Sequence, residues 1–212
     1  KTVDHSKNDD SSESIDTKQI MVLLKNNYFK YLILFFSCSE LLLMFFDYFF
    51  KYHLSLSASS EYITRQMSYF YQFQNIVTCL LLFLSSYLIK WLKIYGLTVS
   101  LVLMYLVLSF VMSLHLSSWS IFICCGLALS LNYSVVNYLM GLYLNSFNPM
   151  DSMIARFIKF NYVETTLKIV ISVTIVYLLH YLKLNYYSYL FISLSLIFIY
   201  FGWRMRGCYI SQ

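Results

Sequence analysis

Turn-forming residues and charges are both scarce in this chain. Five Gly and one Pro in 212 residues exclude a β-rich fold joined by many tight turns. Only 12% of residues are charged, against about a quarter in soluble domains. Nucleotide-cradling Gly-rich loops, G-x-S-x-G elbows and H-E-x-x-H helices are missing, so an enzyme is not expected. No C-x-x-C pair occurs among Cys38, Cys79, Cys124, Cys125 and Cys208. Four of these lie in apolar runs, where a thiol behaves as a small hydrophobe. The basic residues form no patch of the kind that binds nucleic acid.

Apolar side chain is what the sequence has in excess. It is 59% hydrophobic and carries 21 Tyr and 18 Phe, with a mean hydropathy of +0.64. One water-surrounded core cannot hide that much, so lipid is the expected solvent for part of it. Residues 1–19 are polar and too poor in apolar groups to order themselves, and are read as a flexible tail. No secretory signal is expected, because the first long apolar run begins only near Tyr28.

Residues 20–206 read as a transmembrane helical domain, followed by a short tail at 207–212. A helical span needs roughly 20 apolar residues. Runs of that order cover 29–52, 69–91, 96–115, 119–144, 166–182 and 186–203. They lack the period-two alternation of barrel strands. The expected fold is therefore all-α, a polytopic bundle of about six spans. Between the fourth and fifth runs, residues 153–160 read as a short amphipathic helix at the membrane surface.

Charge placement sets an expected orientation. With six spans and both termini inside, the inner segments hold Lys25, Lys30, Lys90, Lys93, Arg156, Lys159, Lys168, Arg204 and Arg206, besides three Lys of the tail. The outer segments hold only Lys51, Arg65 and Lys183. That is the positive-inside asymmetry, as expected for a multi-pass protein of a bacterial inner membrane or an organellar membrane.

Ionisable and amide groups inside spans are the candidates for function, since a charge at mid-bilayer costs several kcal/mol. Glu40 and Asp47 lie two helical turns apart on one face of the first span. Lys51 stands four residues beyond Asp47, as an ion-pair partner. Asn75 and Asn132, with Gln72, Gln74 and Asn137 nearby, either line the same polar cavity or join helices by hydrogen bonds. His53, His115 and His180 fall at outer ends of three different spans. They are weak metal candidates, because no two share a helix at ligand spacing, and no cofactor or metal is expected.

Several short segments resemble one six-helix half of a major facilitator superfamily transporter, in particular the ATP/ADP-carrier-like transporters. They are Asp47-Tyr48-Phe49-Phe50-Lys51, then Phe70, Phe73 and Asn75, then Lys90-Trp91-Leu92-Lys93-Ile94-Tyr95-Gly96, and the stretch from Asn148-Pro149 to Arg156. The likeness spans residues 30–205. It implies alternating-access transport of a small solute between two six-helix repeats. A chain with one repeat would then act as a homodimer. The alternative is a non-catalytic membrane subunit of a respiratory or secretion-type complex.

Overall fold

The computed structural model describes residues 25–56, 59–114, 117–145, 165, 166, 169, 170, 173, 177 and 185–210. Helix α1 is Asn27–Ser55, α2 is Ser60–Ser113, α3 is Ser118–Leu131, α4 is Asn137–Leu144 and α5 is Asn185–Ile210. A single π-helical turn, Asn132–Val136, joins α3 to α4 as one rod. No strand occurs among the described residues, so the chain is all-α. Helices Asn27–Ser55, Ser60–Met112 and Ser118–Leu144 are long and apolar enough to cross a membrane. The tail at 1–19, the surface helix expected at 153–160, and most of the run at 166–182 lie outside the described residues.

The sequence dictates long helices because it offers so few places to stop. Helix α1 starts where the Asn26 side chain accepts the Tyr28 N–H at 2.9 Å, a helix-capping bond. It then runs 29 residues without a Gly or Pro. The runs expected at 69–91 and 96–115 merge into the one 54-residue element α2, interrupted only at Lys93. No loop residues separate them, and the turn is made by one backbone.

That turn is a reversal. The Phe70 ring stacks on Phe50 at 3.9 Å between centroids, and Tyr105 lies 6.4 Å from Phe46. A straight helix would hold residues 70 and 105 about 50 Å apart, at 1.5 Å per residue. Both nevertheless touch the same turn of α1, so the limbs 60–92 and 94–113 fold back on one another. Lys93 sits at φ 55° and ψ 178°, a conformation nearly confined to glycine.

Aromatic packing fixes the remaining neighbours. Helix α5 runs antiparallel to α1, with Phe198 stacked on Phe35 at 4.4 Å and Phe191 set 4.7 Å from Phe46. It is also antiparallel to the second limb of α2, where Tyr105 meets Phe198 edge-on and the Ser109 and Ser195 hydroxyls lie 2.7 Å apart. The α3–α4 rod closes against α1 and both limbs, with Phe122 meeting Phe50 and Phe70 edge-on. Gly126 admits the first limb closely, since a Cβ there would fall 2.7 Å from the Phe73 ring. The first limb buries one narrow face. Its Leu80, Phe83 and Trp91 are 63%, 74% and 74% exposed, surface that water would solvate badly.

Candidate functional site

At mid-height in the bundle, α1 presents Ser39 and Glu40 to the interior, where both are buried. The Ser39 hydroxyl donates to the Phe36 carbonyl at 2.8 Å. Its own carbonyl accepts the Asn132 amide at 3.1 Å across the bundle. Tyr105, wholly buried on the second limb, donates to the Ala128 carbonyl at 3.1 Å. Ala128 stands one helical turn before Asn132, so Tyr105 and the Asn132 amide reach the same stretch of the rod. Glu40, Tyr105 and Asn132, from three elements, thus lie near one level of the bundle.

Local chemistry explains why the rod loosens there. The Ser130 hydroxyl lies 2.7 Å from the Gly126 carbonyl and 3.0 Å from the Gln74 carbonyl, with one proton shared between them. The Ser134 hydroxyl donates to the Ser130 carbonyl. Hydroxyls bonded back one turn compete with the helical ladder and bend it. The ladder widens immediately afterwards, where the Asn137 N–H reaches the Asn132 carbonyl five residues back. Such π turns concentrate at functional positions. Here the turn begins at the residue whose amide spans to α1.

Of the residues singled out in the sequence that the structure describes, Asn132 reaches α1 at Ser39, next to Glu40, while Asp47, Lys51, Asn75 and His53 lie elsewhere. Asp47 and Lys51 bind each other at 2.6 Å, one helical turn apart, with side chains 26% and 43% exposed. A pair so open to its surroundings stabilises by at most about 1 kcal/mol. Asn75 lies exposed on the outer face of the first limb, while its neighbour Gln74 is buried. The adjacent positions differ because neighbouring residues on a helix point about 100° apart. The Gln74 Oε1 and Thr78 Oγ1 atoms are buried without a hydrogen-bond partner among the described residues.

His53 lies at the far end of α1, the end away from Lys93. Its Nε2 stands 3.1 Å from the Ser118 hydroxyl. It borders a cavity of about 180 Å³ with Phe50, Tyr62, Gln66 and Trp119. His115 and His180 fall outside the described residues. Among the described residues no three His, Cys, Asp or Glu side chains group as metal ligands. A second cavity, of about 210 Å³, opens near the Lys93 end between the second limb, α4 and α5. Neither cavity is lined by Glu40.

Tyr105 escaped sequence reasoning because 21 tyrosines drown any single one. A signal was present. Thr98, Tyr105 and Ser109 recur at spacings of seven and four, which places them on one helix face. All three are buried and hydrogen-bonded: Thr98 to the Tyr143 hydroxyl at 2.9 Å, Tyr105 to Ala128, and Ser109 to Ser195. No known protein family, curated protein or solved structure matches this chain.

Proposed function

We propose that the chain crosses a bilayer six times with both ends on the cytoplasmic side, and that it is one half of a small-solute transporter. The reversal at Lys93 supports counting the two limbs of α2 as two crossings. Exposed apolar residues Ile169, Val170, Val173 and Tyr177 are in keeping with another crossing at 166–182. Lys25, Lys30, Lys90, Lys93, Arg204 and Arg206 fall at the Lys93 end, against Lys51 and Arg65 at the far end. That bias favours the Lys93 end as cytoplasmic. Trp91 and Trp203 at one end, with Trp119 at the other, suit the two interfacial aromatic belts.

The observation that carries the transport reading is Glu40, a buried carboxyl at mid-bundle near the level of Tyr105 and a π turn. Ionisable groups at mid-membrane are costly and mark ion, proton or substrate pathways. A second copy would supply the other six spans, and the first limb offers a place for it. Ser68, Gln72, Asn75 and Cys79 are all exposed on that limb, at spacings of four, three and four. Polar side chains on an apolar helix hydrogen-bond to a neighbouring helix better than to lipid.

Native mass after gentle detergent extraction, followed by uptake into proteoliposomes of a solute panel headed by adenine nucleotides, tests this reading. A homodimer whose uptake vanishes in Glu40→Gln, with folding intact, is the expected result. Uptake unchanged by Glu40→Gln would sink it. One observation favours a non-catalytic subunit instead: among the described residues, Asp47, Lys51 and Asn75 lie apart from Glu40. A large assembly with unrelated chains would establish that second reading.

A further inference from the structure

The cavity near the Lys93 end has walls of one kind and a mouth of another. Val99, Val102 and Leu103 of the second limb face Ile199 and Trp203 of α5 across it. Val99, Leu103 and Trp203 are themselves 48%, 52% and 66% exposed, so the space opens sideways into whatever solvates the helices. Three hydroxyl-bearing residues line it, Tyr95, Thr98 and Tyr143, and the last two bond each other at 2.9 Å. What remains is an apolar groove of about 210 Å³ running along the helix axes.

Its mouth is cationic. Arg206 lines the groove one turn beyond Gly202, toward the end where Lys30, Lys90, Lys93 and Arg204 gather. The two arginines differ in their commitments. Arg204 donates to the Tyr200 hydroxyl at 3.1 Å and lies about 6 Å from the Tyr31, Tyr200 and Trp203 rings. Arg206 has no ion pair, hydrogen bond or ring contact with any described residue. A guanidinium uncommitted among the described residues, above an apolar slot, matches a molecule with an anionic head and a hydrocarbon chain. Basic pockets between spans on the cytoplasmic side bind anionic headgroups in this way. A guanidinium also grips phosphate with two parallel hydrogen bonds.

We propose that this groove holds one anionic phospholipid, with its phosphate on Arg206 and an acyl chain between the second limb and α5. The inference rests on the membrane orientation proposed above. The test is native mass spectrometry of protein released from nanodiscs holding equal phosphatidylglycerol and phosphatidylcholine of the same chain length. One phosphatidylglycerol retained per chain is expected. Arg206→Gln lowers that retention about fivefold, the weight of one surface cation, and Val99→Trp, which fills the groove, abolishes it. Arg65→Gln at the opposite end leaves it unchanged.

Equal retention of both lipids, or equal loss in Arg65→Gln and Arg206→Gln, would overturn the site. Displacement of the bound lipid by inorganic phosphate alone would overturn the role of the chain. An alkaline carbonate wash of native membranes separates the two levels. Protein that stays in the pellet without a lipid preference refutes only the groove, and protein released by the wash refutes the membrane orientation along with it.

Discussion

At the scale of single residues, burial separates side chains that look alike in the sequence. Glu40 and Asp47 are both carboxylates of α1, yet one is buried at mid-bundle and the other is held by Lys51 at a half-open surface. Asn132 and Asn75 diverge in the same way. Replacing Asn132 with Ala removes the 3.1 Å bond to the Ser39 carbonyl. Interhelical hydrogen bonds in membranes average about 0.6 kcal/mol and reach about 1.7 kcal/mol. A loss in that range is expected from Asn132→Ala in reversible unfolding of the detergent-solubilised monomer, and Asn75→Ala is expected to cost the monomer nothing. Lys93 carries the opposite prediction. Its φ of 55° costs an L-residue on the order of 1 kcal/mol or more, so Lys93→Gly raises stability by about 1 kcal/mol. Lys93→Ala, which removes the charge and keeps the Cβ, brings no such gain in the same measurement.

At the scale of elements, helices were legible because the apolar runs are long and uninterrupted. The runs at 29–52 and 119–144 are the helices Asn27–Ser55 and Ser118–Leu144. The turn at Lys93 and the π turn at Asn132 were not legible. A one-residue reversal leaves no loop composition to read, and a widened turn depends on which carbonyls the Ser130 and Ser134 hydroxyls occupy. Packing between elements falls to a few rings. Phe191 of α5 touches Phe45, Phe46 and Phe49 of α1, with centroids 6.3, 4.7 and 5.6 Å away. Truncating a ring so enclosed costs about 3 kcal/mol or more. Phe191→Ala is expected to lower the unfolding free energy by that amount, whereas Phe83→Ala, at a site 74% exposed, lowers it by less than about 0.5 kcal/mol. Equal effects would mean that α5 does not pack on α1 through this ring.

At the scale of the whole molecule, the exposed apolar surface is the main physical fact. Leu80, at the middle of the run 69–91, is 63% exposed. On the proposed reading it faces acyl chains. A Lys at the centre of a span costs about 3 kcal/mol in insertion. Leu80→Lys therefore lowers the inserted fraction sharply in a translocation assay, and Glu61→Lys, at the polar start of α2, does not. Full insertion of Leu80→Lys would mean that position 80 does not face acyl chains at the middle of a span.

Composition and charge pattern were enough to specify an all-helical chain. Hydropathy and helix length depend on local residue type alone, and no distant contact is needed to read them. They also supplied Glu40 and Asn132 as candidates, because a polar group in an apolar run stands out by itself. Which candidates come near one another was decided only by the tertiary structure. The reversal at Lys93 brings Tyr105 back to α1, and the face each helix turns inward buries Gln74 and exposes Asn75. Those outcomes depend on how helices rotate against one another, a property set by packing across the whole bundle.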